Sequence, residues 1–153
     1  MRALIQRVKE SSVTIEGKLH SKIGKGLLVL LGVTHTDTSQ GAQYLARRCA
    51  DLRIFEDDQG KMNLSVKDTQ GEIMVVSQFT LYGDTRKGNR PSFIDAAPPE
   101  KANALYEEFV GYLRNEIGSE RVATGVFRAM MDVQLINDGP VTVMVEDKQQ
   151  VTT

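Results

Sequence analysis

The sequence predicts an α+β domain: mostly antiparallel sheets wrapped into a barrel-like core, with two main helices packed outside. Three observations lead there. Short alternating segments are separated by glycine turns, one apolar run has no polar face, and two stretches carry an apolar stripe at helical spacing. Arg2–Lys9 and Ser12–Glu16 alternate apolar with polar or β-branched residues. Gly17-Lys18 then breaks the chain before Leu19–Ile23, the spacing of antiparallel strands joined by tight turns. After Gly24-Lys25-Gly26 the run Leu27–Val33 has no polar side, so it reads as a central strand covered on both faces.

The period then changes. Ala42, Leu45, Ala46, Cys49 and Leu52 recur at three- and four-residue intervals, with Thr36, Asp37 and Thr38 available as N-caps; this predicts a helix over Ser39–Asp51. Arg53–Phe55 restarts a strand, Glu56–Gly60 is a turn, and Glu72–Leu81 is a further strand with Ile73–Val76 buried. Gly83–Pro99, rich in Gly, Pro, Asp and basic residues, is a long loop of the kind that usually carries function. The second helix begins at Pro98-Pro99, where proline suits a first turn, and its stripe is Ala102, Leu105, Tyr106, Phe109, Val110, Leu113 and Ile117. Three strands follow, Arg121–Phe127, Met130–Ile136 and Val141–Glu146, the last two joined by a turn at Asn137–Pro140. The chain reads as one domain, residues 1–147, with a polar C-terminal tail at 148–153.

Composition narrows the function. The 153 residues are 41% hydrophobic and 25% charged, enough for one real core and too few for two ordinary domains. Nineteen Lys plus Arg against twenty Asp plus Glu leave a net charge of -1, so a duplex is not coated by bulk charge. No DNA partner is expected, and any nucleic-acid contact must be local. The longest apolar run is far below the ~20 residues of a membrane helix, and Gln6 and Arg7 interrupt any signal-peptide pattern. A cytoplasmic protein with no membrane partner is expected. The lone Cys49 lies on a helical apolar stripe and reads as a packed small hydrophobe. His20 and His35 lack companions at ligand spacing, so no metal is expected, and both read as surface residues. Glu56-Asp57-Asp58 reads as a solvated turn, and no phosphate-cradling glycine loop is present.

Two polar segments remain. In Ser77-Gln78-Phe79-Thr80-Leu81, a regular strand would turn Gln78 and Thr80 to one face and Ser77 and Phe79 to the other, a poor arrangement for a Ser77–Thr80 dyad. Asn137-Asp138-Gly139-Pro140-Val141-Thr142 reads by itself as a hairpin turn.

Together with Gly26–Val33, Leu52–Phe55, Lys61–Leu64, Asp84–Gly88 and Arg90–Phe93, in that order, these two segments resemble the bacterial D-aminoacyl-tRNA (D-tyrosyl-tRNA) deacylase family over nearly the whole chain. The resemblance implies hydrolysis of the ester joining a D-amino acid, or glycine, to the 3′-terminal adenosine of tRNA, with no metal or cofactor. It implies a homodimer in which a cis Gly139–Pro140 peptide crosses into the partner's pocket as a chirality gate. Ser77, Gln78, Phe79 and Thr80 would form the reaction pocket. Ala102, Phe127 and Met131 would hold the adenosine, and Arg86, Lys87 and Arg90 would contact tRNA phosphates. Backbone N–H groups near Phe79 and Thr80 suit an oxyanion, so attack by water, helped by the substrate's ribose hydroxyl, ranks above Thr80 as nucleophile. Two positions depart from the family pattern: Arg128 stands where a small residue is expected, and Gly83 where alanine is commoner. The competing readings are a non-catalytic module that binds the tRNA 3′ end and a general small-ester hydrolase. The latter is disfavoured by the absence of a Ser-His pairing signal.

Overall fold

The computed structural model describes residues 1–147, so the expected polar tail at 148–153 lies outside the described residues. In chain order the elements are β1 (Arg2–Ile15), β2 (Lys18–Ile23), β3 (Gly26–Gly32), α1 (Ser39–Asp51), β4 (Phe55–Glu56), β5 (Met62–Leu64), β6 (Glu72–Ser77), α2 (Pro99–Ile117), β7 (Val122–Thr124) and β8 (Asp132–Glu146).

β1 is the spine. The two strands expected at the N-terminus are one 14-residue strand, because both of its edges are paired. β8 runs antiparallel along one edge, while the other is shared by β3 against Arg2–Val8 and by β2 against Ser11–Ile15. Beyond β3 the sheet continues with β6 and β7, both paired in parallel. Parallel partners need crossovers. The segment containing α1 and the small β4–β5 hairpin supplies the first, and α2 the second. Hairpin-linked antiparallel pairing therefore describes the N-terminal half better than the middle of the chain.

The sheet curls until β2 meets β7, where Ser21 Oγ donates to the Thr124 carbonyl at 2.7 Å. The barrel is thus nearly closed, and the period-2 alternation of its strands fills two cores. Leu27, Val29 and Leu31 of β3, with Ile73 and Val75 of β6, pack under the helices. Leu28 and Leu30, with Met74 and Val76, face the barrel interior alongside Val8, Val13 and Ile23. This is why Leu27–Leu31 carries no polar residue.

Both helices match their sequence signals. α1 starts after Thr38, whose Oγ1 accepts from the Gly41 N–H at 3.1 Å, and it buries Ala42, Leu45, Ala46 and Cys49. α2 has Pro99 in its first turn and buries the whole predicted stripe. The acidic turn is structural: Asp57 accepts from the N–H groups of Lys61 and Gln59 and from Asn63, which hold its carboxyl below the usual range.

Three expectations are corrected. Arg53–Phe55 is not a strand; only Phe55–Glu56 pairs, with Met62–Leu64. Arg121–Phe127 contributes only Val122–Thr124. Most consequentially, Met130–Ile136 and Val141–Glu146 are not two strands of a hairpin. They are halves of β8, both held against β1, and Asn137–Pro140 does not reverse the chain. Gln6 pairs with Thr142 and Val8 with Asn137, so the residues between are extruded as a bulge.

Candidate functional site

β3, β6 and β7 run in the same direction, so their C-terminal ends, at Gly32, Ser77 and Thr124, open on one side of the sheet. Ligand sites in parallel sheets favour that end. Here it opens into a cleft of about 670 Å³, walled by Ser77, Gln78 and Phe79 on one side and by Ala102, Phe127 and Met131 on another.

The expected strand Glu72–Leu81 stops at Ser77. Gln78 N–H still bonds the Leu31 carbonyl at 2.8 Å, and the chain then tightens into a 3₁₀ turn over Phe79–Tyr82. Alternation of faces therefore does not apply beyond Ser77. The first bond within the turn is Leu81 N–H to the Gln78 carbonyl at 3.3 Å. The N–H groups of Phe79 and Thr80 precede it and have no acceptor within the turn. Thr80 is exposed, does not line the cleft, and its hydroxyl is engaged by the Gln78 side-chain amide. Phe79 stacks edge-on against Phe93, with ring centroids 5.2 Å apart, and both rings line the cleft.

The opposite wall comes from two elements. Ala102 sits in the first turns of α2, and one turn on, Tyr106 buries its ring and donates its hydroxyl to the Val75 carbonyl at 2.9 Å. Burial pushes that phenol up to about 12. Tyr106 also backs the Phe127 ring, with centroids 6.2 Å apart. Met131 can fold over the sheet because Gly125 has no Cβ; one built there would lie 2.5 Å from the Met131 sulfur. Arg128 and Met130 lie on the same segment at the mouth of the cleft.

Gly139 and Pro140 are elsewhere. They do not line this cleft; they are exposed on the β8 bulge, joined by a cis peptide bond, with Gly139 at φ +132°. A residue that sequence reading passed over holds the bulge in place. Arg7 is 6% exposed; it donates Nε to the Asp138 carbonyl at 3.0 Å and Nη1 to the Ile54 carbonyl at 2.7 Å. The signal was present, because Arg7 follows Ala3 and Ile5 on the inward-facing positions of β1. Asn137 Oδ1 accepts from Val141 N–H at 2.9 Å and closes the base of the bulge.

The basic loop is tied at its foot, where Asp84 and Ser92 exchange backbone hydrogen bonds of 2.8 and 2.9 Å. Arg86 folds back onto Asp84 with two side-chain bonds of 2.9 and 2.8 Å, and this holds the Asp84 carboxyl at about 2. Arg86 is thus occupied in shaping the loop, while Lys87 and Arg90 are exposed and make no ion pair among the described residues. His20 and His35 are exposed; His35 Nε2 lies 2.7 Å from the Ile94 carbonyl. Cys49 is fully buried, which pushes its thiol up to about 12.

A family model described as D-Tyr-tRNA(Tyr) deacylase matches residues 4–146. The chain belongs to the D-Tyr-tRNA(Tyr) deacylase family. It is therefore a member of an enzyme family, and its curated relatives are named D-aminoacyl-tRNA deacylase. That of Desulfatibacillum aliphaticivorans is 59% identical over 148 residues, 97% of this chain and 100% of the relative. That of Chloroherpeton thalassium is 57% identical over 146 residues, 95% of each chain. Among solved structures, one named c-Myc DNA Unwinding Element Binding Protein superposes with a TM-score of 0.92 at 44% identity, over 96% of this chain and 99% of the other. Another, described as a probable eukaryotic D-amino acid tRNA deacylase, reaches 0.82 at 18% identity over 95% and 98%, a likeness of fold alone. No helix among the described residues is long and apolar enough to cross a membrane.

Proposed function

We propose that this family member works in the cytoplasm as a homodimer. It hydrolyses the ester linking a D-amino acid, or glycine, to the 3′-terminal adenosine of tRNA. The observation that carries the reading is the cleft, whose lining combines an apolar wall of Ala102, Phe127 and Met131 with Ser77, Gln78 and Phe79, where β6 passes into the 3₁₀ turn. Such a wall suits a base and ribose, and such a turn suits the ester carbonyl attached to them.

The ester is already activated, so the protein need only position it and stabilise the charge that develops on its carbonyl oxygen. The N–H groups of Phe79 and Thr80 are the donors for that oxygen, and one such donor is worth about 10²–10³ in rate. Water adds to the carbonyl carbon, with its proton taken up through the substrate's ribose hydroxyl. The tetrahedral intermediate collapses by breaking the bond to the ribose oxygen, which leaves protonated as the free hydroxyl, and the amino acid departs as its acid. Thr80 is a poor nucleophile here because its hydroxyl is bonded to Gln78 and lies outside the cleft.

Chirality is read by exclusion. Gly139 and Pro140 are exposed and do not line the cleft of their own chain, which suits delivery into the cleft of a second copy. A wall against the substrate Cα leaves room for hydrogen and none for an L side chain, and it cannot reject glycine. Lys87 and Arg90, which are exposed, would meet phosphates of the tRNA 3′ end, and residues 1–147 would act as one domain.

The test is deacylation of matched D-tyrosyl-, L-tyrosyl- and glycyl-tRNA by the purified protein. Cleavage of the D and glycyl esters with the L ester spared is expected. Cleavage of D and L alike overturns the gate, and binding without cleavage of any ester would make this a tRNA 3′-end binding module instead.

A further inference from the structure

We propose that Arg128 forms an anion site at the mouth of the cleft and takes the 5′-phosphate of the nucleotide whose base and ribose occupy the apolar part. The proposal rests on the reading of the cleft as a nucleoside site. Three observations carry it. First, Arg128 is the only ionised side chain among the residues that line the cleft; the others are apolar or neutral. An apolar slot with one cation at its rim fits a ligand that is largely ring surface with a single negative group.

Second, that cation is available. Arg128 is exposed and makes no ion pair or hydrogen bond with its side chain among the described residues, unlike Arg2, Arg7, Arg53 and Arg86, which are all engaged. No carboxylate lines the cleft to compete with a phosphate for it.

Third, the backbone there is held in a form that an arginine does not favour. Ala129 N–H bonds the Val126 carbonyl at 3.1 Å and closes a four-residue turn with Arg128 at its third position, at φ +67°. Glycine is the residue such a turn favours, because a Cβ in the left-handed region crowds the carbonyl oxygen that follows it. Strain of this kind beside a ligand cleft points to a side chain that the site uses. The turn also sets Arg128 directly after Phe127 and three residues before Met131, so the cation and two of the wall residues share one segment. A guanidinium can offer two parallel N–H donors to phosphate oxygens, which an ammonium cannot.

The experiment compares adenosine, adenosine 5′-monophosphate and adenosine 3′-monophosphate by titration calorimetry on the full chain and on Arg128→Gly and Arg128→Lys. The parent chain should bind the 5′-phosphate roughly tenfold tighter than adenosine, the size of one charge-assisted contact. Arg128→Gly should abolish that preference while adenosine affinity stays within about twofold, and Arg128→Lys should keep part of it. Glycine relieves the turn, so the thermal midpoint of Arg128→Gly should not fall, and a lost preference cannot be put down to misfolding. With D-tyrosyl-tRNA, the change should fall on KM rather than kcat. A 5′-phosphate preference that survives Arg128→Gly overturns the assignment. An equal loss for the 3′-phosphate also overturns it, because a diffuse field would then explain the effect. Failure of the parent chain to bind adenosine at all overturns the nucleoside cleft, and this site with it.

Discussion

Arg7→Ala removes a guanidinium that spans two parts of the fold, the Ile54 carbonyl after α1 and the Asp138 carbonyl in the β8 bulge. Hydrogen bonds from a charged donor contribute about 1.5–3 kcal/mol each, and two of them set the upper range at about 3–6 kcal/mol. The Asp138 side chain is 38% exposed, and its ion pair with Arg7 is long, at 3.7 Å. Water can therefore replace part of what is lost there, and the lower end, about 3 kcal/mol, is the expected cost. In a domain of this size each kcal/mol corresponds to about 2–4 °C, so the midpoint should fall by roughly 6–12 °C. Arg7→Lys keeps the charge but reaches one carbonyl instead of two, and should cost about half as much. The functional consequence is separate. On the proposed reading of Gly139 and Pro140 as a chirality gate, an untethered bulge costs them their fixed placement, and each 1.4 kcal/mol of lost discrimination is about a tenfold rise in hydrolysis of the L ester relative to the D ester. Thermal unfolding and paired D- and L-tyrosyl-tRNA deacylation check both halves. A midpoint lowered by less than about 2 °C would refute the anchoring energetics. Full chiral selectivity in a variant destabilised as expected would refute the link between anchor and gate.

Three further outcomes follow from the structure. The Cys49 thiol is held near 12 when folded against 9.0 ordinarily, so the folded state keeps a proton that the unfolded state releases. The stability this provides is whole below pH 9 and is lost as pH rises toward 12. Urea unfolding should therefore show the parent losing about 1.4 kcal/mol per pH unit more than Cys49→Ala in that window, and parallel slopes would contradict it. Thr80→Val removes a hydroxyl already bonded to Gln78 and leaves the backbone N–H in place, so its single-turnover rate should stay within about threefold of the parent. A loss of three orders of magnitude would restore Thr80 as nucleophile. Neutralising Lys87 and Arg90 together should lower the slope of log affinity against log salt by about 1.4, two single-strand phosphate contacts. Arg86→Gln should change that slope little, because Asp84 already balances Arg86.

Where an element depends on its own residues, the sequence was enough. The stripes Ala42–Cys49 and Ala102–Ile117 define α1 and α2 almost to the residue, because helical hydrogen bonds close within four positions. The two-sided burial of Leu27–Leu31 is equally legible, since no polar side chain breaks that run. Of the residues that the resemblance named, Ser77, Gln78, Phe79, Ala102, Phe127 and Met131 line one cleft, whereas Thr80, Gly139 and Pro140 do not. What the chain could not announce locally is how strands pair. A strand's alternation is the same whether its neighbour runs parallel or antiparallel, so the parallel set β3, β6 and β7, whose common end opens the cleft, is a decision of the tertiary structure. Asn137–Pro140 has the composition of a reversing turn, yet β1 offers one continuous edge to both flanking halves, and the backbone hydrogen bonds along that edge outweigh the local turn preference. Ser77–Leu81 leaves the sheet for the same kind of reason: after Gln78 bonds the Leu31 carbonyl, β3 itself ends at Gly32, and the chain turns into a 3₁₀ turn that pairs the Leu81 and Gly83 N–H groups and leaves those of Phe79 and Thr80 without an acceptor in the turn. Side-chain periodicity thus determined which segments are helices and which are strands. The pairing of distant backbone edges decided where the polar groups point, because those hydrogen bonds join residues that no local window contains.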